Sequence, residues 1–308
     1  MPEFKLTTPV AFIIFNRPET TGRVFAEIAK ARPPKLLVVG DGPRASRLGE
    51  AERVTATRAV IDAVDWPCEV LTNYSDVNLG CKRRVSSGIG WVFDQVEEAI
   101  ILEDDCLPDP SFFRYCQELL ERYREDRRIG MISGDNFQGS NCPGDPSYYF
   151  SRYSHIWGWA SWRDRWQGSY DVTMSVWPRL RASRWLDNMG FAGDEVAHWT
   201  RVFDQIERGE VDTWDVQWFF ANLTCGRLAA LPSVNLISNI GFGVDATHTV
   251  HDSELSGLPV FSLSFGLNHP LTMTPDLSAD RRTFDRIFKS PSLCRRMLSR
   301  VSALAKQL

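Results

Sequence analysis

The chain opens on a continuous apolar run, Val10-Ala11-Phe12-Ile13-Ile14-Phe15, with no polar alternation. That pattern predicts a strand buried on both faces. Asn16-Arg17-Pro18-Glu19-Thr20 ends it, and a helix to about Ala31 follows. A second strand over Lys35–Gly40 stops at Asp41-Gly42-Pro43-Arg44. A polar helix over about 50–63, a strand over Cys68–Thr72, and a turn at Asn78-Leu79-Gly80 into a helix over 82–95 come next. Ala99-Ile100-Ile101-Leu102 is long enough for one more buried strand. Strands alternating with helices predict an α/β fold with parallel strands and right-handed crossovers. A helix from Pro110 to about Arg124, capped by Asp109, and a strand over Ile129–Ser133 extend the pattern, and 135–146 reads as loop.

Polar residues then fall at successive strand ends: Asn16 and Arg17, Asp41, and the triplet Glu103-Asp104-Asp105. Open α/β sheets bind ligands beyond the carboxyl ends of their strands. Three adjacent carboxylates repel one another unless a cation shares them, and hard divalent ions such as Mn²⁺ or Mg²⁺ prefer oxygen ligands. The plainer alternative is a set of solvated acids favouring a helix start. Their position directly on the strand end, before the cap, favours the metal. No Walker or GxGxxG loop occurs there.

The second half changes character. Nine of the 11 Trp lie between Trp157 and Trp218. Flat aromatic faces suit the apolar face of a sugar ring, so two or three of them are expected to meet a carbohydrate acceptor, the rest being core. Asp215 stands in Trp214-Asp215-Val216-Gln217-Trp218, at the start of a helix. A carboxylate among aromatics has a raised pKa and suits a general base; a plain helix-start acid is the alternative. Arg83 and Arg84 begin a helix and could reach a diphosphate, or be solvated. His248 and His251 lie in a glycine-rich loop and could bind metal or phosphate, although a surface His is the commoner case.

The length of 308 residues fits one large domain with an appendage. A net charge of −4 argues against a general nucleic-acid binder. The charge is uneven: from Arg281 onward there are eight Lys or Arg and one acid, Asp285, a net +7 that leaves −11 elsewhere. This segment, 281–308, reads as a basic amphipathic tail that either packs on the domain or lies on an anionic membrane, with Pro291 interrupting it. No signal peptide or membrane-spanning run is read, and the seven cysteines lack metal-finger or CxxC spacing. Together these give the expectation of a cytoplasmic protein with reduced thiols.

Ile100-Ile101-Leu102-Glu103-Asp104-Asp105-Cys106-Leu107-Pro108-Asp109-Pro110-Ser111-Phe112-Phe113-Arg114-Tyr115 resembles the metal-binding segment of the GT-A nucleotide-sugar glycosyltransferases. It is most similar to the N-acetylglucosaminyltransferase I type and to bacterial family-2-like sugar transferases. The resemblance implies that Asp105 holds Mn²⁺ or Mg²⁺ and that Glu103 and Asp104 contact ribose and donor sugar. It extends to Phe15-Asn16-Arg17-Pro18 as the nucleotide loop, Asp41 against the base (usually uracil), and the helix bearing Arg84. It implies Gly158-Trp159, Trp214 and Trp218 on the acceptor side, Asp215 as catalytic base, and the loop 240–248, with His248 as a further metal ligand, over the donor. Val216 stands where the family has a second acid.

The expectation is therefore a GT-A α/β domain over about 1–280, with a nucleotide-sugar half (about 1–133) and an acceptor half (about 134–280). It would move a sugar from a nucleotide-diphosphate sugar, with a UDP-sugar first, to a glycan or glycolipid hydroxyl, with inversion, in bacterial surface polysaccharide assembly. The rivals are a sugar-phosphate nucleotidyltransferase, which would need a glycine-rich loop after the first strand, and a non-catalytic sugar binder on the same fold.

Overall fold

A computed structural model describes residues 4–139, 145–241 and 257–289. The first half alternates as the apolar runs dictate: β1 (Val10–Ile14), α1 (Pro18–Ala31), β2 (Lys35–Gly40), α2 (Glu50–Ala59), β3 (Glu69–Tyr74), α3 (Cys81–Gln95) and β4 (Glu98–Glu103). A short β5 (Cys106–Pro108), α4 (Ser111–Tyr123) and β6 (Ile129–Ser133) follow. The helix α4 starts at Ser111 rather than at Pro110, and Asp109 just ahead of it accepts from the Ser111 amide at 2.9 Å.

The second half adds β7 (Tyr148–Ser151), β8 (Trp159–Trp162), α5 (Arg163–Gln167), α6 (Trp177–Ala182), α7 (Gly193–Glu207), α8 (Asp215–Thr224), β9 (Leu228–Pro232), β10 (Ile237–Asn239) and α9 (Leu277–Thr283). Eight strands form one sheet in the order β3-β2-β1-β4-β8-β6-β9-β7, and β5 pairs with β10 in a two-stranded ribbon. β3, β2, β1 and β4 are mutually parallel. The sheet is mostly parallel, as expected; β8 runs antiparallel to both β4 and β6, and β7 runs antiparallel to β9. The result is a Rossmann-like α/β architecture, a large and mostly parallel sheet flanked by helices, of the kind expected for a GT-A fold.

Strand composition follows from having both faces covered. Val10, Phe12 and Ile14 of β1, Leu36 and Val38 of β2, and Ile100 and Leu102 of β4 pack on one side with α1 and α4. Ala11 and Ile13, Leu37 and Val39, and Ala99 and Ile101 pack on the other with Ile89, Val92 and Phe93 of α3. The alternate residues have no wet side, so the runs are apolar throughout. A third cluster sits in the second half, where Tyr153, Trp177, Trp199, Phe203, Phe219, Phe220 and Phe284 pack together.

Residues 281–289 of the basic segment pack on that cluster. Phe284 is 1% exposed, and Arg281 donates to Asp194 at 2.6 and 2.7 Å. Residues 290–308 lie outside the described residues. Among the described residues no helix is long and apolar enough to cross a membrane.

Candidate active site

β1 and β4 are neighbours in parallel register, with Ile13 opposite Glu103, so the chain leaves both strands at one sheet edge. Beyond that edge lies a cavity of about 590 Å³. Its walls include Phe15, Arg17, Asp41, Arg44, Arg84 and Glu103–Asp105 from the first half and Trp157, Asp212–Asp215, Asn239 and Gly241 from the second. The fold thus brings Arg17, Asp41, Arg84, the acidic triplet, Trp214 and Asp215 around one space.

The triplet is tied to the end of β1. Asp104 accepts from the Phe15 amide at 3.1 Å and from the Arg17 guanidinium. Arg17 also reaches Asp105 Oδ2 at 3.0 Å. A cation does therefore share two of the three carboxylates, and it is an arginine. Among the described residues, Glu103 Oε1 is buried with no hydrogen-bond partner. Burial, then repulsion from Asp105 and Asp104, pushes the Glu103 carboxyl up to about 8. Burial also raises Asp104 to about 6, against the pull of Arg17.

Asp41 ends β2 and is spent on the turn before α3. It accepts from the Gly42 amide at 2.9 Å, the Asn78 amide group at 3.0 Å, the Leu79 amide at 2.9 Å and the Gly80 amide at 3.1 Å. Burial raises its pKa, with the Leu79, Gly42 and Gly80 amides opposing. Arg84 is turned toward the sheet, donating to the Gly40 carbonyl at 3.1 Å and to Asn73 Oδ1 at 2.7 Å, and burial lowers its pKa. Asn16 does not line the cavity. Its amide donates to Glu50 at 2.9 Å, and Glu50 in turn takes the Arg44 backbone amide at 2.6 Å and the Arg44 guanidinium. The Asn16 side chain is thus engaged with Glu50, and Arg44, stacked over the Phe15 ring at 5.5 Å, is a polar side chain of that wall.

Across the cavity, Asp215 is the first residue of α8 and accepts from the Thr213 hydroxyl. Its segment is fixed from three sides. Gln217 donates to the Thr213 carbonyl at 2.7 Å, Tyr170 donates to the Trp214 carbonyl at 3.1 Å, and Trp214 stacks on Trp159 at 5.8 Å. Asp212 bridges the halves, accepting from the Cys81 and Lys82 amides at 3.1 and 3.0 Å, at the start of α3. The Cys81 thiol there is pushed well up by burial, then by Glu103, Asp215 and Asp212.

The tryptophans divide. Trp214 and Trp157 line the cavity. Trp159 and Trp218 do not: both are 0% exposed, their rings packed on Trp166 and on each other. This corrects the expectation that they face an acceptor. Inserted between β4 and β6, β8 has both faces covered, and Trp159 fills one of them. Gly158 enters that strand at φ +63°, where a Cβ would lie 2.6 Å from Ile237 Cδ1. Asp212, Thr213, Cys81 and Asn239 were missed in the sequence. Asp212 had one signal, an acid shortly before a helix; Cys81 and Asn239 had none.

His248 and His251 lie outside the described residues. Among the described residues no three His, Cys, Asp or Glu side chains form a metal cage. The donor set fits a different kind of ion. Mg²⁺-type sites in nucleotide enzymes use one or two carboxylates and complete their shell with water and phosphate. Asp105, its side chain 16% exposed, and the unpartnered Glu103 Oε1 suit that role.

No family profile matches the chain, and no curated protein matches its sequence. Among solved structures it is similar to apo mouse xyloside xylosyltransferase 1, at 10% identity over 70% of this chain and 81% of that one, TM-score 0.35. It is also similar to the inositol-1-phosphate CTP transferase from T. maritima, at 9% identity over 74% and 86%, TM-score 0.34. A third similarity is to UDP-glucose pyrophosphorylase complexed with UDP-glucose, at 11% identity over 49% and 64%, TM-score 0.26. These neighbours are one glycosyltransferase and two nucleotidyltransferases, and likenesses this faint assign no chemistry to the chain.

Proposed function

We propose that this chain is a glycosyltransferase that moves a sugar from a nucleotide-diphosphate sugar to a hydroxyl of a glycan or glycolipid. One observation carries the reading: the Glu103–Asp105 triplet with its arginine and the carboxylate of Asp215 face one cavity from opposite halves of the fold. The resemblance of residues 100–115 to the GT-A metal segment supports it. Residues up to about 133 would hold the donor and residues 134–280 the acceptor.

Arg17 and Arg44 offer guanidinium groups to the donor's phosphates and nucleoside. Asp41 fixes the turn of residues 78–80, which shapes the nucleoside side of the cavity. Mn²⁺ or Mg²⁺ on Asp105, with Glu103 beside it, would supply neutralisation of the charge that develops on the leaving diphosphate. Asp215 takes the proton of the acceptor hydroxyl at its carboxylate while that oxygen attacks the anomeric carbon. Attack from the face opposite the diphosphate inverts the centre. Trp157 and Trp214 give the acceptor sugar an apolar wall and exclude water from it. Surface polysaccharide assembly at the cytoplasmic face of a bacterial membrane is the setting this chemistry suits, with the basic residues of the tail beyond Lys289 as its contact with anionic lipid.

The test is a thermal-shift panel of UDP, GDP, CDP and TDP and their sugars, each with Mn²⁺ and with EDTA. Ligands of the native state raise Tm by mass action. A metal-dependent shift with one diphosphonucleotide class, lost in Asp105→Ala, supports the transferase and names the base. Added to the same panel, nucleoside triphosphates and sugar phosphates test the rival: a shift with these instead supports a nucleotidyltransferase. No shift with any nucleotide supports a non-catalytic sugar binder.

A further inference from the structure

One guanidinium nitrogen of Arg17 serves both Asp104 and Asp105. Arg17 is held close by its own backbone: it precedes α1, and its carbonyl accepts from the Thr21 amide at 2.9 Å. Asp104 has a second donor, the Phe15 amide at 3.1 Å. Among the described residues, the one donor to Asp105 Oδ1 is the Cys106 thiol, at 3.6 Å. The pair is roofed without a side chain. A Cβ on Gly241 would lie 2.1 Å from Asp105 Oδ2 and 2.7 Å from an Arg17 nitrogen. Beside it, among the described residues, Glu103 Oε1 is buried and unpartnered. Among those residues the cation on the triplet is Arg17, which serves two of its three carboxyl groups.

We propose that Arg17 is an internal counter-cation that a divalent metal must displace from Asp105 in order to bind. This rests on the reading of Asp105 as a metal ligand. In the exchange the guanidinium gives up Asp105 Oδ2 and keeps Asp104, which the Phe15 amide holds in place. A positive charge one bond freer, next to the metal, then faces the cavity, where the donor's diphosphate is its natural partner. Metal and diphosphate binding are thereby coupled through one side chain. The metal alone binds against the Arg17–Asp105 contact, whereas with diphosphate present the released arginine gains a new partner.

The distinguishing signature is a pair of effects with opposite signs. In Arg17→Gln, Mn²⁺ alone, titrated by electron paramagnetic resonance, binds about tenfold more tightly than in wild type, within the usual range of such couplings. UDP titrated by calorimetry at saturating Mn²⁺ binds more weakly, because the arginine that the metal would release is gone. Arg17→Lys keeps a charge but carries it on a compact, strongly hydrated ammonium in place of the planar guanidinium. Its Mn²⁺ affinity falls between the two, and it provides the comparison if the Gln variant does not fold. Mn²⁺ affinity in either folded variant equal to or below that of wild type overturns the proposal. Asp105→Asn separates the two readings. Loss of Mn²⁺ binding there, together with unchanged affinity in Arg17→Gln, overturns the counter-cation while leaving Asp105 as the ligand. Mn²⁺ binding undisturbed in Asp105→Asn overturns both.

Discussion

Strands β1, β2 and β4 deliver Arg17, Asp41 and the Glu103–Asp105 triplet by ending, whereas α8 delivers Asp215 by beginning. In the first half the polar residues stand where buried strands run out, and the sheet itself sets their positions. In the second half Asp215 is placed by its neighbours: Thr213 on its carboxylate, Tyr170 on the Trp214 carbonyl, and Trp214 on Trp159. The lesson is that strand ends expose chemistry directly, while a helix start must be buttressed, and here aromatic mass is the buttress.

That comparison can be broken by removing the buttress. Trp218→Ala leaves a large hole beneath Trp159 and Trp166 and is expected to cost about 4 kcal/mol in urea unfolding. Its effect falls on stability, with nucleotide binding retained by the fraction that folds; a stable variant with a selective loss of acceptor affinity would put Trp218 back in the site. Asp104→Ala leaves Arg17 without its buried partner and should cost about 3 kcal/mol by the same measurement. This is the one substitution at a strand end expected to act as strongly as a core deletion. Gly158→Ala forces a side chain into a left-handed backbone and against Ile237, with an expected loss of about 2 kcal/mol by thermal unfolding.

The smallest effect is a pH slope. Glu103 is raised from 4.5 to about 8 in the folded state, so the fold binds its proton more tightly than the unfolded chain does. The stability it contributes is full below about pH 4.5 and is lost as pH rises through 8. Melting curves without divalent metal should therefore fall across that window, and Glu103→Gln should flatten them. A wild-type curve that rises across it would contradict the burial argument.

The same contrast governs what could be read in the sequence. β2 and β6 lie where the apolar runs put them, Lys35–Gly40 and Ile129–Ser133, because a strand covered on both faces has no other signature to confuse it. The acidic triplet was legible because three acids directly after such a run mark the end of the strand at the sheet edge. β7, β8 and β9 were not: they are short, and Trp159-Ala160-Ser161-Trp162 reads equally as an aromatic surface or a buried strand until its neighbours are known. The same ambiguity misplaced Trp159 and Trp218, since an indole that packs and an indole that binds sugar look alike in sequence. Asp41 and Arg84 were correctly drawn to the cavity wall, but their hydrogen bonds to residues 78–80 and to Gly40 and Asn73 depend on loop geometry that no spacing encodes.

The most direct test of a donor held by one half and an acceptor proton taken by the other is calorimetric titration of UDP with Mn²⁺ into wild type, Asp105→Asn and Asp215→Asn. Binding lost in Asp105→Asn and kept in Asp215→Asn is the predicted result. Equal loss in both variants, or none in either, would contradict the division of labour across the cavity.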